Sequence, residues 1–144
     1  MRSNLYETDF YGWTQQQAAL LKDGRLSDLD VMHLMKEIEF MGGSERRELE
    51  SRLEILFMHL LKWKFQPSHR STSWTLTIKE QRRKIARHLE KNPSLKSKLP
   101  EMATEVYGDA VLSAARETGF DESMFPESMP WTLLQAFEAN YLPE

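Results

Sequence analysis

The chain has 144 residues, of which 40% are hydrophobic and 28% charged, the size and composition of one globular domain. It contains no cysteine, so disulfides, thiolate metal sites and a cysteine nucleophile are excluded. No apolar run approaches the roughly 20 residues that cross a bilayer, and the first ten residues lack the apolar segment of a signal peptide. We therefore expect a single domain, residues 1–144, that is cytoplasmic and makes no membrane contact.

The net charge of −3 is unevenly distributed along the chain. Residues 1–50 carry a net charge of −4, residues 51–100 carry +9, and residues 101–144 carry −8. A basic middle segment of this kind is typical of a surface for nucleic acid or for an acidic partner. The alternative is that the basic segment packs between the two acidic flanks of its own chain, and the near cancellation of the charges favours this alternative.

Helical periodicity runs through the whole chain, and no stretch shows the alternation of a β-strand. The first helix is predicted over residues 8–22, where Asp23-Gly24 ends it. The second is predicted to begin at Ser27 and to end at Gly42-Gly43. Its apolar face consists of Val31, Leu34, Met35, Ile38 and Met41.

The third predicted helix, residues 44–66, is expected to be the long central element of the fold. Ser44 is a suitable N-cap, and Pro67 disfavours helical backbone at the residue before it. Apolar residues recur within this helix at alternating intervals of four and three, which is typical of the buried face of a bundle helix. These residues are Leu49, Leu53, Leu56, Leu60 and Trp63.

Two further helices are predicted in the next fifty residues. The fourth follows a loop at residues 67–73, has Ser73 as its N-cap and runs over residues 74–91. Pro100 is predicted to open the fifth helix, and Gly119 to cap its end.

The last part of the chain is predicted to be a loop over residues 120–129 and a short helix over residues 130–139. Taken together, the segments predict an all-α fold. We expect an irregular helical bundle of about five to seven helices around the central helix, residues 44–66.

Short segments spread in order along the chain resemble those of one bacterial family. They include Tyr6-Glu7 with Asp9-Phe10, Glu37-Ile38-Glu39, His59-Leu60-Leu61-Lys62-Trp63, Arg70-Ser71 with Ser73-Trp74, and Pro93-Ser94-Leu95-Lys96. On these segments the chain resembles the domain of unknown function 29 family. The resemblance implies an α-helical fold and a bacterial source, and it carries no established activity. Many members have Cys where this chain has Met129, so thiol chemistry is absent at that position.

Arg82 lies in the middle of the apolar face of the fourth predicted helix. A buried guanidinium without a partner costs several kcal/mol, so we expect a carboxylate beside it, from Glu37, Glu39 or Glu45. The leading interpretation is a structural ion pair that fixes helix register. The alternatives are an anion-binding arginine and an arginine that extends to the surface.

Polar residues on the third helix and the following loop are predicted to line one pocket. Arginines, serine hydroxyls and a tryptophan ring suit a phosphate or carboxylate ligand. The alternative is that the loop residues cap the adjacent helix ends. With Arg82, the candidate residues are Arg52, His59, Trp63, Gln66, Arg70, Ser71, Ser73 and Trp74.

Metal binding and catalysis are not favoured by the sequence. Asp30, His33 and Glu37 have a spacing that metal ligands can have, but His33 lies away from the apolar face, so a solvated stripe is favoured. No nucleophile turn and no Gly-rich phosphate loop occurs. We therefore predict no metal, no cofactor and no catalytic residue.

The fourth helix is basic between residues 79 and 91, and its predicted outer side carries Arg83, Lys84, Arg87 and Lys91. Such a side suits a phosphate backbone, but no base-reading element accompanies it. The leading hypothesis is a small helical protein-interaction or regulatory module whose partner is a protein. The second is nucleic-acid binding through residues 79–91, and the third is an enzyme or anion binder that uses residues 59–82. The sequence gives no oligomeric state.

Overall fold

The computed structural model of the chain describes residues 5–144, and these form α-helices, short 3₁₀ turns and loops, without a strand. The predicted all-α fold with a long central helix is confirmed, since the third helix packs against the fourth and fifth. No helix in this described range is both long and apolar enough to span a membrane. The α-helices are α1 (Leu5–Thr8), α2 (Phe10–Lys22), α3 (Val31–Phe65), α4 (Thr72–Lys91), α5 (Leu99–Thr118) and α6 (Leu133–Phe137).

The chain forms two compact units, and the boundary between them lies between Ser44 and Glu45, inside α3. The smaller unit contains α1, α2 and the first part of α3. The larger unit contains the rest of α3, the helices α4 to α6 and the C-terminal segment. That residues 1–144 act as a single domain stays a prediction.

The predicted break at Gly42-Gly43 is wrong, because α3 runs through both glycines as one helix of 35 residues. A glycine inside a helix costs about 1 kcal/mol relative to alanine, but it does not force the backbone out of helical geometry. The residues that follow are good helix formers and add an ion pair one turn apart, with Arg46 Nε 3.4 Å from Glu50 Oε1. Helix propensity summed over this long stretch therefore outweighs the glycine pair.

The predicted start of this element at Ser27 is also wrong. Ser27 lies in a 3₁₀ turn, Leu26–Asp28, and the α-helix begins at Val31. Asp30 caps it, since one carboxylate oxygen accepts the backbone N–H of His33 at 3.4 Å.

An aromatic cluster holds the smaller unit together. The Tyr6 ring stacks on the His33 ring with centroids 3.9 Å apart, and Trp13 is buried against Tyr6. The Trp13 indole N–H donates to Asp30 Oδ2 at 3.0 Å, and the Gln17 side chain accepts the backbone N–H of Asp30 at 2.8 Å. This cluster joins α2 to the start of α3.

The apolar face predicted for residues 31–41 does not meet a core in this chain. Four of its five members, Val31, Met35, Ile38 and Met41, are each more than half exposed. The contacts of this part of α3 within the smaller unit come instead from the side next to Met41, where the His33 ring stacks on Tyr6 and Glu37 accepts the Tyr6 hydroxyl.

The core of the larger unit is built on the leucines that the spacing of the central helix predicts. Leu49, Leu53, Leu56 and Leu60 are completely buried. Trp63 is only partly buried, so the predicted face ends one turn before it. Packed with these leucines are Ile78 and Ile85 of α4, Met102, Val106 and Ala110 of α5, and Phe125 and Trp131 of the C-terminal segment.

The C-terminal segment is fixed to α5 through polar and aromatic contacts. The Tyr107 hydroxyl donates to the carbonyl of Pro126 at 2.7 Å, and burial raises the pKa of Tyr107 to about 12. The Trp131 ring lies edge-on to Tyr107, with centroids 6.0 Å apart. As predicted, Gly119 ends α5, with a left-handed φ of 78°.

The last helix is shorter than predicted. It spans Leu133–Phe137, and it begins after Thr132 because Thr132 and Gln135 form a capping box, in which each side chain accepts the other residue's backbone N–H. α5 begins at Leu99, one residue before the predicted start at Pro100.

Replacing Leu56 by alanine removes a completely buried side chain from the centre of α3. We expect Leu56→Ala to lower the free energy of unfolding by about 3 kcal/mol, because the lost contacts leave a cavity that the neighbours fill only partly. Urea denaturation followed by circular dichroism measures this. Leu112→Ala, on the exposed side of α5, is the matched control and should cost less than about 1 kcal/mol. Equal losses would contradict the assignment of the core.

Candidate functional site

Arg82 connects α4 to the end of the chain. Its guanidinium donates to three main-chain carbonyls, those of Ala136 at 2.7 Å, Ala139 at 3.3 Å and Tyr141 at 2.8 Å. Burial lowers the pKa of Arg82 and the Glu138 carboxylate opposes this effect, but an arginine side chain stays charged in proteins. Arg82 is buried, and these contacts hold the segment after α6 against α4.

The predicted carboxylate partner of Arg82 is therefore wrong. Carbonyl oxygens satisfy the guanidinium, and two of the three predicted partners have other contacts. Glu37 accepts the hydroxyl of Tyr6 at 2.8 Å, and a carboxylate oxygen of Glu45 accepts the side-chain amide N–H of Asn92 at 3.4 Å. The sequence correctly indicates a buried arginine that needs acceptors, but it does not identify which acceptors these are.

Four of the predicted pocket residues meet in pairs where α3 connects to α4. The Arg70 guanidinium lies 4.8 Å from the centre of the Trp63 ring, and its Nε donates to the Trp63 carbonyl at 2.7 Å. The Ser71 hydroxyl accepts the backbone N–H of Trp74 at 3.3 Å, which makes Ser71 the N-cap of α4. Ser73, predicted as the cap, lies instead in the first turn of the helix. These contacts complete helix ends.

The remaining members of the predicted pocket lie elsewhere in the larger unit. His59 Nδ1 contacts the carbonyl of Ile55 at 2.8 Å on its own helix, and Gln66 is partly buried at the end of α3. Arg52 donates to Gln81 at 3.4 Å, and its Nε is buried without a hydrogen bond to any described residue. The structure thus brings Trp63 to Arg70 and Ser71 to Trp74, and it places Arg52 and Arg82 in two different clefts.

A cluster of side chains that the sequence did not indicate joins α3 to α4. His88 is buried, with Nδ1 2.6 Å from Glu48 Oε2 and Nε2 2.8 Å from the carbonyl of Glu45. Glu45 and Glu48 each offer a carboxylate oxygen and His88 offers a ring nitrogen as possible metal ligands. These three atoms lie within 4.8 Å of one another. The same cleft is lined by Arg52, Lys84, Arg87 and Lys91.

These four cations decide how the cluster is interpreted. Lys84 is paired with Glu80, but the other three still outnumber the two carboxylates. Arg52 Nη2 lies 3.8 Å from Glu48 Oε1, and its charge there would repel a divalent cation. The His88 contacts are therefore best described as hydrogen bonds between α3 and α4 that fix the position of one helix on the other.

Asp30 and His33 belong to the predicted solvated stripe, but they form a network of contacts with Trp13. His33 Nδ1 lies 2.7 Å from Asp30 Oδ2, and the indole of Trp13 donates to the same oxygen. Burial opposes ionisation of Asp30, but the hydrogen bonds with His33 and Trp13 outweigh it and lower the pKa of this carboxyl. The three residues hold the smaller unit together, and nothing in their contacts indicates a ligand.

A second cleft, which we call the α4 cleft, lies between α4 and the segment that Arg82 holds. Its volume is about 760 Å³ and most of its lining is apolar. Two basic residues, Lys79 and Arg83, lie exposed at its rim. Its lining includes Leu76, Ile78, Ala86, Phe137, Ala139, Asn140 and Leu142.

The residues of the α4 cleft were missed because most of them carry no chemical motif. One signal was present in the sequence: Leu76 is apolar, but it lies off the Trp74, Ile78, Ile85 and Leu89 face. In the structure Leu76 is more than half exposed. With Lys79 and Arg83 it forms one stripe of α4 at intervals of three and four residues.

One family model matches residues 5–142, almost the whole chain, and the family is described as a domain of unknown function, DUF29. The chain belongs to the DUF29 family. This confirms the resemblance that the short segments between Tyr6 and Lys96 indicate. Comparison with curated proteins and with solved structures gives no match. Function in this DUF29 protein must therefore be argued from its own clefts and surfaces.

The contacts of Arg82 in this DUF29 chain can be tested by replacing it with methionine, which keeps much of the apolar volume and removes the donors. We expect Arg82→Met to lower the free energy of unfolding by about 3 kcal/mol, because buried carbonyls lose their partners. Chymotrypsin should also cut at Phe137 and Tyr141 faster than in the wild type. The control is Arg83→Met, at the exposed neighbouring position, which should cost less than about 0.5 kcal/mol. Equal effects of the two substitutions would contradict the described role of Arg82.

The pH dependence of stability tests the burial of His59. Burial lowers its pKa below the ordinary value of 6.5, and the Ile55 carbonyl only partly opposes this. As the pH falls below about 6.5 the unfolded chain takes up this proton before the folded chain does, so stability is lost until the pH passes the lower folded pKa. We expect His59→Gln to lose less unfolding free energy than the wild type between about pH 7 and pH 5.

The matched control for His59 is His69→Gln, because His69 is exposed on the 3₁₀ turn Pro67–His69. Its pH profile should follow that of the wild type. The measurement is the urea midpoint at each pH. Identical slopes for the wild type and His59→Gln would contradict the proposed effect of burial.

Proposed function

We propose that the protein is a small helical interaction module whose α4 cleft binds an acidic, amphipathic segment of a partner protein. The observation that carries the proposal is the combination of an apolar cleft and a basic rim. The cleft volume of about 760 Å³ is enough for several apolar side chains of such a segment.

The apolar part of the α4 cleft suits a protein segment. Leu76, Phe137 and Leu142 contribute apolar surface that water reaches in the free chain. Removing this surface from water favours association, by about 25 cal/mol for each Å² buried. An amphipathic helix whose apolar side chains lie three and four residues apart is a common occupant of such grooves.

The rim of the cleft selects for negative charge. Lys79 and Arg83 are exposed, and neither forms an ion pair or hydrogen bond with another residue between 5 and 144. Their charges are therefore available to carboxylates of a partner, with which they would speed association and exclude basic segments.

The wall of the cleft formed by Ala139 and Asn140 is held in place before binding. Arg82 hydrogen-bonds the carbonyls of Ala136, Ala139 and Tyr141. Binding therefore does not need to order this segment, and its conformational entropy is not lost again on association. This support suits a recognition surface.

Nucleic-acid binding is the second candidate, and the exposure of Arg83, Arg87 and Lys91 favours it. Lys84, predicted to belong to the same surface, is instead paired with Glu80. The predicted phosphate footprint is therefore smaller than the sequence indicates. The apolar lining of the neighbouring cleft also has no role in binding a phosphate backbone.

The test uses a labelled peptide of roughly twelve residues that has Phe and Leu at helical spacing with Asp and Glu between them. We expect micromolar binding by fluorescence anisotropy, and no binding of the same peptide with Lys in place of the acids. The double variant Lys79→Glu/Arg83→Glu should weaken binding at least about tenfold, since two attractions become repulsions. Absence of binding, or equal binding of both peptides, would contradict the proposal.

Lys91→Glu is the matched control, because Lys91 is an exposed base of the same helix that does not line the α4 cleft. Peptide binding should be unchanged in this variant. A short DNA or RNA duplex is assayed in parallel at low ionic strength. Salt-dependent duplex binding that Lys91→Glu weakens, without peptide binding, would establish the second candidate instead.

A further inference from the structure

Two exposed rows of side chains, one on α4 and one on α5, have the same spacing and opposite charges. The α4 row consists of Leu76, Lys79, Arg83, Arg87 and Glu90, and the α5 row consists of Lys98, Glu101, Glu105, Asp109 and Leu112. In both rows the intervals are three, four, four and three residues. At about 100° per residue, each row therefore lies within roughly 80° of one side of its helix. Lys98 is the N-cap of α5 and has helical backbone angles, so it continues the row.

The charges of both rows are available to a partner. All ten side chains are exposed, with Leu76 at 58% and Leu112 at 50%. Within residues 5–144, no ion pair or hydrogen bond joins a charged side chain of either row to another residue. Three bases in one row and three acids in the other thus lack opposite charges in this part of the chain.

We propose that the α4 row of one copy of this chain pairs with the α5 row of a second copy, with the two helices antiparallel. Arg83 of one copy then lies opposite Glu105 of the other, at the centre of the contact. Each residue of a helix advances it by about 1.5 Å, so equal intervals are equal distances along the two axes. The other members therefore also lie opposite each other: Lys79 with Asp109, Arg87 with Glu101, Leu76 with Leu112, and Glu90 with Lys98.

The order of residue types selects this direction and this register. From its N-terminal end, the α4 row has one apolar residue, three bases and one acid. From its C-terminal end, the α5 row has one apolar residue, three acids and one base. A parallel pairing would set each leucine opposite a charged residue. An antiparallel pairing shifted by one turn would leave Arg87 and Asp109 without partners, so both alternatives are disfavoured.

The strength of the association follows from its chemistry. Exposed ion pairs each contribute little to binding and are screened by salt. Five side chains from each copy also form a contact smaller than the roughly 1,200 Å² at the lower end of standard interfaces. We therefore expect a dissociation constant on the order of 100 μM at low ionic strength, and weaker association at high salt.

This pairing goes beyond the proposed function and competes with it. Leu76, Lys79 and Arg83 also line the α4 cleft, so a copy whose α4 row is occupied cannot offer these residues to an acidic partner segment. The contact joins two different surfaces, so a paired copy can keep one row free and association can continue beyond a dimer. The tests below use the chain alone and do not depend on peptide binding to the cleft.

The first test is analytical ultracentrifugation of the full chain from about 10 to 500 μM in about 20 mM salt. The average mass of the wild type should rise with concentration, and about 0.5 M salt should reverse this. Arg83→Glu places two acids opposite each other and should raise the dissociation constant at least about tenfold. Glu105→Arg should do the same with two bases. The double exchange Arg83→Glu/Glu105→Arg restores opposite charges and should restore association.

The control for these charge changes is Lys22→Glu, at an exposed lysine at the end of α2, which should associate like the wild type. Arg83 and Glu105 are both exposed in the single chain. Circular dichroism should therefore show unchanged helix content in every variant, so that a change in association does not reflect unfolding.

The second test is disulfide cross-linking, which detects weak contacts and reports their register. The chain has no cysteine, so an introduced thiol is its only one. At the axis separation of about 8–10 Å between packed helices, facing residues at the centre come within the Cα distance of about 4–7 Å that a disulfide spans. Arg83→Cys mixed with Glu105→Cys should therefore give mixed disulfides faster than either variant cross-links with itself. Labelling one variant with ¹⁵N distinguishes mixed from like dimers by mass spectrometry.

The matched control replaces Glu105→Cys by Glu117→Cys in the mixture. Glu117 is an exposed acid of the same helix, about 18 Å further along the axis and outside the α5 row. Its mixed disulfide with Arg83→Cys should form at the background rate.

Three results would overturn the proposal. The first is a wild type that remains monomeric at about 500 μM in low salt. The second is an association that neither Arg83→Glu nor Glu105→Arg weakens, or that the double exchange does not restore. The third is mixed cross-linking through position 105 that is no faster than through position 117. Peptide binding to the α4 cleft is measured separately, so the failure of either proposal is distinguishable from the failure of the other.

Discussion

The guanidinium of Arg82 determines where the end of the chain lies. It is buried in α4, carries a charge that cannot be removed, and takes carbonyls of Ala136, Ala139 and Tyr141 as acceptors. A buried cation without such acceptors is strongly unfavourable, so the segment that provides them is held close to α4. The α4 cleft exists because this segment forms one of its walls. The need to satisfy one buried charge thereby creates the cleft that we propose as a recognition surface.

The core follows from side-chain spacing, and for that reason the sequence predicted it well. The intervals between Leu49, Leu53, Leu56 and Leu60 determine one face of a helix whatever its neighbours are. Gly119 was predicted correctly for a similar reason, since a left-handed residue after a helix is a local requirement. Features whose cause lies within one or two helical turns can be predicted from the sequence.

The acceptors of Arg82 could not be predicted in this way. They are main-chain carbonyls more than fifty residues away, and because every residue has a carbonyl, no sequence pattern distinguishes these three. The candidate pocket around Arg70 and Ser71 failed to converge for a related reason: the same residue types that bind anions also complete helix ends. The break expected at Gly42-Gly43 reflects a local preference that the surrounding helix formers outweigh.

The continuity of α3 has a consequence for how this molecule can be divided. The boundary between the two compact units lies between Ser44 and Glu45, yet cutting the chain there would interrupt the middle of a helix. Four N–H groups on one side and four carbonyls on the other would lose their helical partners, and the new end at Glu45 would have no cap. The contact of His88 with the Glu45 carbonyl would then depend on a frayed terminus. A fragment intended to reproduce the larger unit should therefore begin at least one turn earlier.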